Sequence, residues 1–325
     1  MIKIIQGIEG DDIPYHLSLL GVDIHTIDPD IYFFPLNDHY NTHGPDWLTE
    51  TEKIAQEYPR VVFYDLVNTS DYEHRQFCRY VSEFDHVNRT YLTVNQSPDL
   101  RIPGVRIIPW DFMWNRIKAY YTESVPANLC LHHYAGPDAY QLPGLVPVPK
   151  TKKFMSLTGR EYGFRIHLYN WIKQYDGFVS NRTRGQYLEN HEVVGAFSPV
   201  PNRFYQESCL SIYVESNCYE SDLIHITEKT YEPLLKGHFI LPFSNPGTVN
   251  RLEKLGFRFP DFIDYSYDLI ENPDARFRQL KREFLRLLDL DLYQLHNDHV
   301  SMFEYNQNCV HTIPYDSRIL GIFDV

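Results

Sequence analysis

Short β-rich runs alternate with helix-forming stretches along most of this sequence. Each run contains four or five residues and is closed by a polar loop or by a loop with proline or glycine. Such runs, separated by amphipathic stretches, are typical of strands in a mostly parallel sheet covered by helices on both faces. The sequence therefore predicts the α/β class. The predicted strands are Lys3–Gln6, Val61–Asp65, Thr90–Val94, Val105–Ile108, Lys153–Leu157, Leu210–Val214 and His238–Leu241.

A proline-rich stretch, Leu142–Lys150, interrupts this alternation near the middle of the chain. It contains three prolines and one glycine, a composition that is stiff and poor in helix and strand signals. The strand pattern restarts directly after it, and 325 residues are enough for two lobes of ordinary domain size. We therefore predict an N-terminal domain over residues 1–145 and a C-terminal domain over residues 151–325.

Three helices are predicted in the second half of the chain. Apolar residues at helical spacing predict one helix over Arg165–Tyr175. Two more, over Thr227–Lys236 and Thr248–Leu255, are each followed by a glycine, the residue favoured just after a helix end. Pro233 falls inside the second of these, so that helix must start after Thr227 or bend at the proline.

Composition and charge limit the classes of partner and the compartment. The net charge of -13 opposes a large non-specific attraction to nucleic acid or to an anionic membrane, although a local basic groove remains compatible with it. No apolar stretch reaches the roughly 20 residues that span a bilayer, and the N-terminus does not resemble a secretory signal. The five cysteines are scattered and form no C-x-x-C pair, which is typical of a reducing compartment. We expect a cytoplasmic protein without a membrane partner.

The segment Leu210–Gly256 concentrates polar residues that suit a ligand site. A predicted strand ends in Glu215-Ser216-Asn217, and the next predicted helix begins with Thr227-Glu228-Lys229. Ligands of open α/β sheets bind at the carboxyl ends of the strands, and a helix N-terminus attracts a pyrophosphate. Lys229 adds a full positive charge, and Glu228 can accept hydrogen bonds from ribose or sugar hydroxyls. Singly, these residues are also ordinary at a helix start, since threonine is a good N-cap; together they suit a nucleotide-diphosphate sugar.

The string Glu215-Ser216-Asn217 followed by Ile226-Thr227-Glu228-Lys229, a leucine-rich helix and a hydrophobic strand resembles the donor-binding core of the α-1,3-fucosyltransferase-like family. The resemblance implies a GT-B fold, with two Rossmann-like domains facing across a cleft, an N-terminal acceptor domain and a C-terminal donor domain. It also implies that an arginine after the first strand of the second half holds the donor phosphates. The donor-binding residues implied in this way are Arg160, Arg165, Glu215, Asn217, Thr227, Glu228 and Lys229.

The catalytic base is expected in the N-terminal half. The resembling enzymes have a glutamate in a loop after a strand of that half, in some members as Glu-Ser-Pro. The nearest string here is Asn95–Asp99, in which Gln96 stands where the carboxylate would be, and glutamine cannot act as a base. Acidic residues also crowd the loop after the first predicted strand, where mutual repulsion can raise a pKa. Asp12 and Asp99 are therefore the candidate catalytic residues.

We expect neither a metal nor a cofactor. Asp28-Pro29-Asp30 imitates the D-x-D motif of metal-dependent transferases, but it is also common turn chemistry. The pair His132-His133 has no matching ligand motif elsewhere, and no phosphate-binding G-x-x-x-x-G-K-[ST] loop occurs. The nucleotide sugar is accordingly expected as a substrate, with no requirement for a divalent cation.

These features predict a glycosyltransferase that moves a sugar from a nucleotide-diphosphate sugar to a hydroxyl of a carbohydrate acceptor. Two alternatives stay open. One is an enzyme of the bacteriophage kind that glycosylates hydroxymethylcytosine-type bases in DNA; Arg182–Arg184 and the basic stretch Arg276–Arg286 favour it, and the net charge opposes it. The other is a catalytically degenerate carbohydrate-binding protein, which Gln96 favours. GDP-fucose as the donor follows from the family likeness alone.

Overall fold

The computed structural model of the chain describes residues 17–22, 31–35, 60–65, 78, 81–82, 89–93, 100–123, 141–145, 149–159, 161, 163–186, 200–216, 218–219 and 224–323. The described residues divide into two compact units. The first unit comprises those within Met1–Arg116, Asp222–His225 and Tyr315–Val325, and the second comprises those within Ile117–Ser221 and Ile226–Pro314. The predicted domains, residues 1–145 and residues 151–325, were defined by function as an acceptor domain and a donor domain. That assignment remains a prediction.

A four-stranded parallel sheet forms the centre of the first unit. Its strands are β1 (Ile31–Pro35), β2 (Arg60–Asp65), β3 (Arg89–Thr93) and β4 (Arg106–Pro109), and they lie in the order β1-β2-β3-β4. The apolar residues Val61–Tyr64 of β2 are all buried, as expected for a parallel sheet covered on both faces.

A second four-stranded parallel sheet forms the centre of the second unit. Its strands are β5 (Lys152–Thr158), β6 (Phe178–Asn181), β7 (Ser208–Val214) and β8 (Phe239–Phe243), in the order β6-β5-β7-β8. All four strands therefore begin at one edge of the sheet and end at the opposite edge. The α-helices of the described residues are α1 (Phe112–Thr122), α2 (Phe164–Ile172), α3 (Asn202–Glu207), α4 (Glu228–Leu235), α5 (Thr248–Leu255), α6 (Pro273–Leu288), α7 (Leu292–Asp298) and α8 (Val300–Thr312).

The core of the second unit lies on both faces of its sheet. Every residue of β7 and β8 is buried. Successive side chains of a strand point to opposite faces, and Phe154 of β5 accordingly joins the larger apolar cluster, where its ring meets that of Phe284 of α6 at 4.9 Å. The neighbouring Met155 joins a smaller cluster with Phe204 and Tyr205 on the other face. Burial of each large apolar side chain contributes about 1.5–3 kcal/mol to the stability of the fold. This packing on both faces fixes the positions of the strands.

The structure confirms most of the predicted elements and corrects some boundaries. Six of the predicted strands are present as β2, β3, β4, β5, β7 and β8. The predicted helix over Arg165–Tyr175 begins one residue earlier and ends at Ile172. The helix predicted from Thr227 begins at Glu228 and keeps Pro233 inside it. The helix over Thr248–Leu255 agrees in both bounds and ends at a glycine with φ 110°. The predicted strand Lys3–Gln6 lies outside the described residues.

The observed class is α/β with two parallel sheets, which is compatible with a Rossmann-like fold. Within the part of the chain that the structure describes, no helix is both long enough and apolar enough to cross a membrane.

Candidate functional site

Glu215 follows the last residue of β7 and is fully buried. Its Oε1 accepts hydrogen bonds from Thr227 N at 3.1 Å and from Thr230 Oγ1 at 2.6 Å. Its Oε2 accepts from Thr227 Oγ1 at 2.6 Å and from Ser216 N at 3.2 Å. Because both oxygens bind in this way, Glu215 ties the end of β7 to the start of α4, whose N-terminal partial positive charge offsets the buried negative charge.

The first turn of α4 is fixed by further hydrogen bonds. Thr227 is the N-cap, and its Oγ1 accepts from Lys229 N at 3.3 Å. Thr230 Oγ1 accepts from Tyr213 Oη at 2.8 Å, a second link between α4 and β7. The N-terminus of α4 is therefore held rigidly at the carboxyl edge of the sheet, where Glu228 and Lys229 are its first two residues.

Glu228 and Lys229 form an ion pair at this helix terminus. Lys229 Nζ lies 2.6 Å from Glu228 Oε1 and 3.3 Å from Thr227 Oγ1, and the side chains of Glu228 and Lys229 are 17% and 23% exposed. Burial acts to raise the pKa of Glu228. The charge and the hydrogen bond of Lys229, the main-chain N–H of Glu228 and the charge of Arg165 together outweigh burial, so the pKa is lowered. Glu228 is therefore ionised at neutral pH. Its Oε2 is buried and receives no hydrogen bond from the described residues.

Arg165 reaches the same place from the first turn of α2. It is 7% exposed, and its Nη2 donates to Ser216 Oγ at 3.2 Å. Gly163, the N-cap of α2, has φ 48°, and a Cβ there would collide with Tyr219 Oη. Glycine is favoured at this position by its backbone conformation, because other residues rarely adopt a positive φ.

A third helix, α5, also begins at this edge, after the end of β8. The side chain of Asp268 holds it: Oδ2 accepts from Val249 N at 2.9 Å, and Asp268 O accepts from Gly247 N at 2.9 Å. Burial raises the pKa of Asp268 to about 7, against the opposing effects of the Val249 N–H and of the Arg276 charge. The carboxyl edge of the sheet thus carries three helix N-termini, of which α2 and α4 bring charged side chains.

This edge of the sheet has the chemistry to bind an anion and hydroxyl groups together. The N-termini of α2 and α4 and the cations Arg165 and Lys229 favour a negatively charged group. Glu228 neutralises part of that positive charge, and its partly exposed carboxylate is a hydrogen-bond acceptor for hydroxyl groups. A ligand that combines a phosphate with hydroxyls satisfies both kinds of group, whereas a bare anion satisfies only the cations.

Five of the predicted donor-binding residues lie together in this cluster. They are Arg165, Glu215, Thr227, Glu228 and Lys229. In the described conformation, the hydrogen bonds of Glu215 go to the protein itself, so its observed role is to position α4.

The remaining predicted residues lie outside the described part of the chain. These are Arg160 and Asn217 for the donor, and Asp12 and Asp99 for catalysis. Gln96, Asp28-Pro29-Asp30 and His132-His133 also lie outside it. Within the described residues, no group of three or more His, Cys, Asp or Glu side chains is placed to hold a metal ion.

Three residues of this edge were missed by the sequence analysis. Thr230 directly follows the Thr-Glu-Lys motif, and this position next to the motif could have identified it from the sequence. Tyr213 and Asp268 have no local signal, because their partners Thr230 and Val249 lie 17 and 19 residues away in the sequence.

The comparisons with known proteins yield no relative. No model of a protein family matches this chain, and neither a curated protein nor a solved structure matches it.

Proposed function

We propose that this chain is a glycosyltransferase that takes a sugar from a nucleotide-diphosphate sugar and transfers it to a hydroxyl of a carbohydrate acceptor. One observation supports this most: Arg165, Glu228 and Lys229 meet at the carboxyl edge of a parallel sheet, beside the N-termini of α2 and α4. That combination of cations, an ionised acceptor and helix termini suits the diphosphate and the hydroxyls of such a donor.

Each residue has a separate role in the proposal. Arg165 and Lys229 bind donor phosphate oxygens, and their charges stabilise the nucleotide diphosphate as it leaves, so that a divalent metal is not required. The carboxylate of Glu228, whose side chain is 17% exposed, accepts a hydrogen bond from a ribose or sugar hydroxyl. Glu215 and Thr227 hold the α4 terminus in position.

The proposal extends to the architecture and the compartment. Two Rossmann-like domains in a GT-B arrangement would place the acceptor on the N-terminal domain, where Asp12 and Asp99 are the candidates for the base that deprotonates the acceptor hydroxyl. The reducing compartment suggested by the cysteines is the cytoplasm. Because the sequence resembles the fucosyltransferase-like family, GDP-fucose is the first donor to test.

Binding to nucleotide sugars tests the donor site directly. The full-length chain is titrated with UDP-, GDP-, CMP- and TDP-sugars, and affinity is measured by calorimetry alongside the thermal shift. Lys229→Met removes the charge and keeps the length of the apolar stem, and Lys254→Met is the matched control, because Lys254 is exposed on α5. Since a hydrogen bond to a charged group contributes about 1.5–3 kcal/mol, we expect Lys229→Met to weaken donor binding about 10- to 150-fold.

Two results would contradict the proposal. A folded protein that no nucleotide sugar stabilises has no donor site, and equal affinities for Lys229→Met and Lys254→Met would place the donor away from α4. Turnover is tested separately: slow release of free sugar from the bound donor, without any acceptor, is expected of a transferase. Donor binding with no release and no transfer to any glycan would instead identify a binding protein.

A further inference from the structure

A small cavity lies at the amino edge of the second sheet, opposite the candidate donor site. Its lining includes Lys150, which precedes β5, and Gly237, which precedes β8. Helix α7 contributes His296 and Asn297. The seven residues of β7 separate this edge from the carboxyl edge by about 20 Å, at roughly 3.3 Å per residue. The cavity is therefore a feature independent of Arg165, Glu228 and Lys229.

Lys150 is a partly buried cation in this cavity. Its Nζ donates to Ser208 O at 2.8 Å and to Tyr205 O at 3.2 Å. An ammonium group has three donors, and the third has no acceptor among the described residues. No carboxylate among those residues forms an ion pair with it. Burial lowers the pKa of Lys150 to about 8, as expected for a cation that is removed from water without a counter-charge.

The histidines around Lys150 are neutral. His296 Nε2 lies 2.8 Å from Gly237 O, and His238 Nε2 lies 2.7 Å from Tyr205 O; since a carbonyl only accepts, each Nε2 carries the proton. Burial first, and then the positive charge of Lys150, lower the pKa of His296 to about 4 and that of His238 well below its ordinary value. The positive potential of this cavity therefore already opposes any further cation.

The remaining ionisable groups do not supply the missing negative charge. Lys236 lines the cavity and is itself a cation. The carboxylate of Glu232 does not line the cavity; it lies 3.8 Å from Lys236 Nζ and accepts a hydrogen bond from Tyr205 Oη at 3.4 Å, so its charge is already paired within the protein. Burial raises the pKa of the Cys209 thiol to about 12, so it is not an anion at neutral pH. Among the described residues, no Asp or Glu lines the cavity.

The size of the cavity limits its ligand to a small group. Its volume is about 370 Å³ when its open mouth is included. That room accommodates ordered water or one small polar group at the bottom, with the remainder of a ligand at the mouth.

We propose that this cavity is a second ligand site, which binds a phosphate group through Lys150, with Asn297 also lining the site. The phosphate supplies the acceptor for the third donor of Lys150 and the negative charge that the lining lacks. Free inorganic phosphate and a small phosphomonoester share this chemistry. The site does not depend on the proposed transferase activity.

Amine labelling of the wild-type chain tests the site without altering the fold. The protein is acylated near pH 8 in inorganic phosphate, in glycerol phosphate or in chloride of equal ionic strength, and the modification of each lysine is measured by mass spectrometry. At a phosphate concentration ten times its Kd, labelling of Lys150 should slow about tenfold. Labelling of the exposed Lys254 in the same molecules should not change.

A pair of variants tests the same inference through stability. Lys153 is the matched control, because its Nζ also donates to two main-chain carbonyls, Leu288 O and Leu290 O, but it does not line the cavity. Both variants are made in the Lys229→Met background, which removes one cation of the donor site. In that background phosphate should raise the melting temperature of Lys153→Met but not that of Lys150→Met.

The outcomes show whether the site exists and, if it does, which phosphate compound it binds. Protection of Lys150 by inorganic phosphate alone assigns free phosphate, and protection by both compounds, or by glycerol phosphate alone, assigns a phosphomonoester. Equal labelling of Lys150 in phosphate, glycerol phosphate and chloride would overturn the inference. So would protection that disappears in Lys229→Met, because the anion would then be bound at the opposite edge of the sheet.

Discussion

Replacing Glu215 by glutamine keeps the shape of the side chain and changes one carboxylate oxygen into an NH₂ group. Each oxygen of Glu215 accepts from one main-chain N–H, that of Thr227 or that of Ser216. Whichever way the amide is turned, its NH₂ group therefore meets an N–H donor. The hydroxyls of Thr227 and Thr230 can rotate to accept instead, but a main-chain N–H cannot reverse its direction.

The structure gives a magnitude for this change. A hydrogen bond to a charged acceptor contributes about 1.5–3 kcal/mol, and a buried N–H left without an acceptor costs about 1–3 kcal/mol. These two effects overlap, so we expect the free energy of unfolding of Glu215→Gln to fall by about 2–4 kcal/mol. Glu253→Gln is the control: Glu253 is exposed on α5, and a substitution of this kind changes stability by about 0.5 kcal/mol or less.

Two assays measure the effect of Glu215→Gln. Urea unfolding followed by tryptophan fluorescence gives the change in stability. Hydrogen exchange of peptides covering residues 214–232 measures local opening, which should become about 30- to 900-fold faster if opening costs 2–4 kcal/mol less. A loss of stability equal to that of Glu253→Gln, with unchanged exchange in this segment, would refute the anchoring role of Glu215.

Two further predictions concern buried groups near the carboxyl edge. The pKa of Asp268, about 7 in the folded chain, lies above the ordinary value near 4, so stability should fall as the pH rises from about 4 to 7, by up to about 1.4 kcal/mol per pH unit. Asp268→Asn cannot ionise, and urea unfolding across this range should show the difference between variant and wild type shifting in favour of the variant; a constant difference would contradict the assignment. Tyr267 Oη is buried without a hydrogen-bond partner among the described residues, so Tyr267→Phe should leave stability unchanged or raise it by about 1 kcal/mol. Tyr265→Phe, which loses the hydrogen bond to Ile240 O at 3.0 Å, should lower stability by a similar amount, and the opposite order of the two urea midpoints would refute this prediction.

The sequence predicted six of the eight described strands, and the strongest signals came from hydrophobic runs that are buried along their whole length. β7 and β8 are of this kind, because helices and loops cover both faces of the parallel sheet at these strands. β6 was not predicted, since its four residues Phe178–Asn181 are mostly half-buried and its pairing with β5 is a contact between distant parts of the chain. β1 follows Asp28-Pro29-Asp30, which was interpreted as a turn, and its sequence ends in a proline.

The site was predicted in its composition but only partly in its geometry. The Thr-Glu-Lys motif located the start of α4 to within one residue, because capping is a local interaction. The meeting of Arg165 with Ser216 spans 51 residues, and that of Glu215 with Thr230 spans 15. Such contacts depend on how strands pair and helices pack. The sequence therefore identified charged and polar side chains at this edge without distinguishing the ligand-facing ones from the anchoring ones.

Because anchoring residues differ from ligand-facing residues, replacing Glu215 and replacing Lys229 should have different effects, although both residues belong to the same sequence motif. Glu215 is fully buried and bound by α4 and the end of β7, so its replacement should lower stability and, by loosening the helix terminus, also weaken donor binding. Lys229 is partly exposed and paired with Glu228, and an ion pair of this kind contributes about 1 kcal/mol or less. Its replacement should therefore weaken donor binding at nearly unchanged stability. A ligand site built on a rigid, separately stabilised helix terminus has this property, because the groups that hold the geometry differ from the groups that meet the ligand.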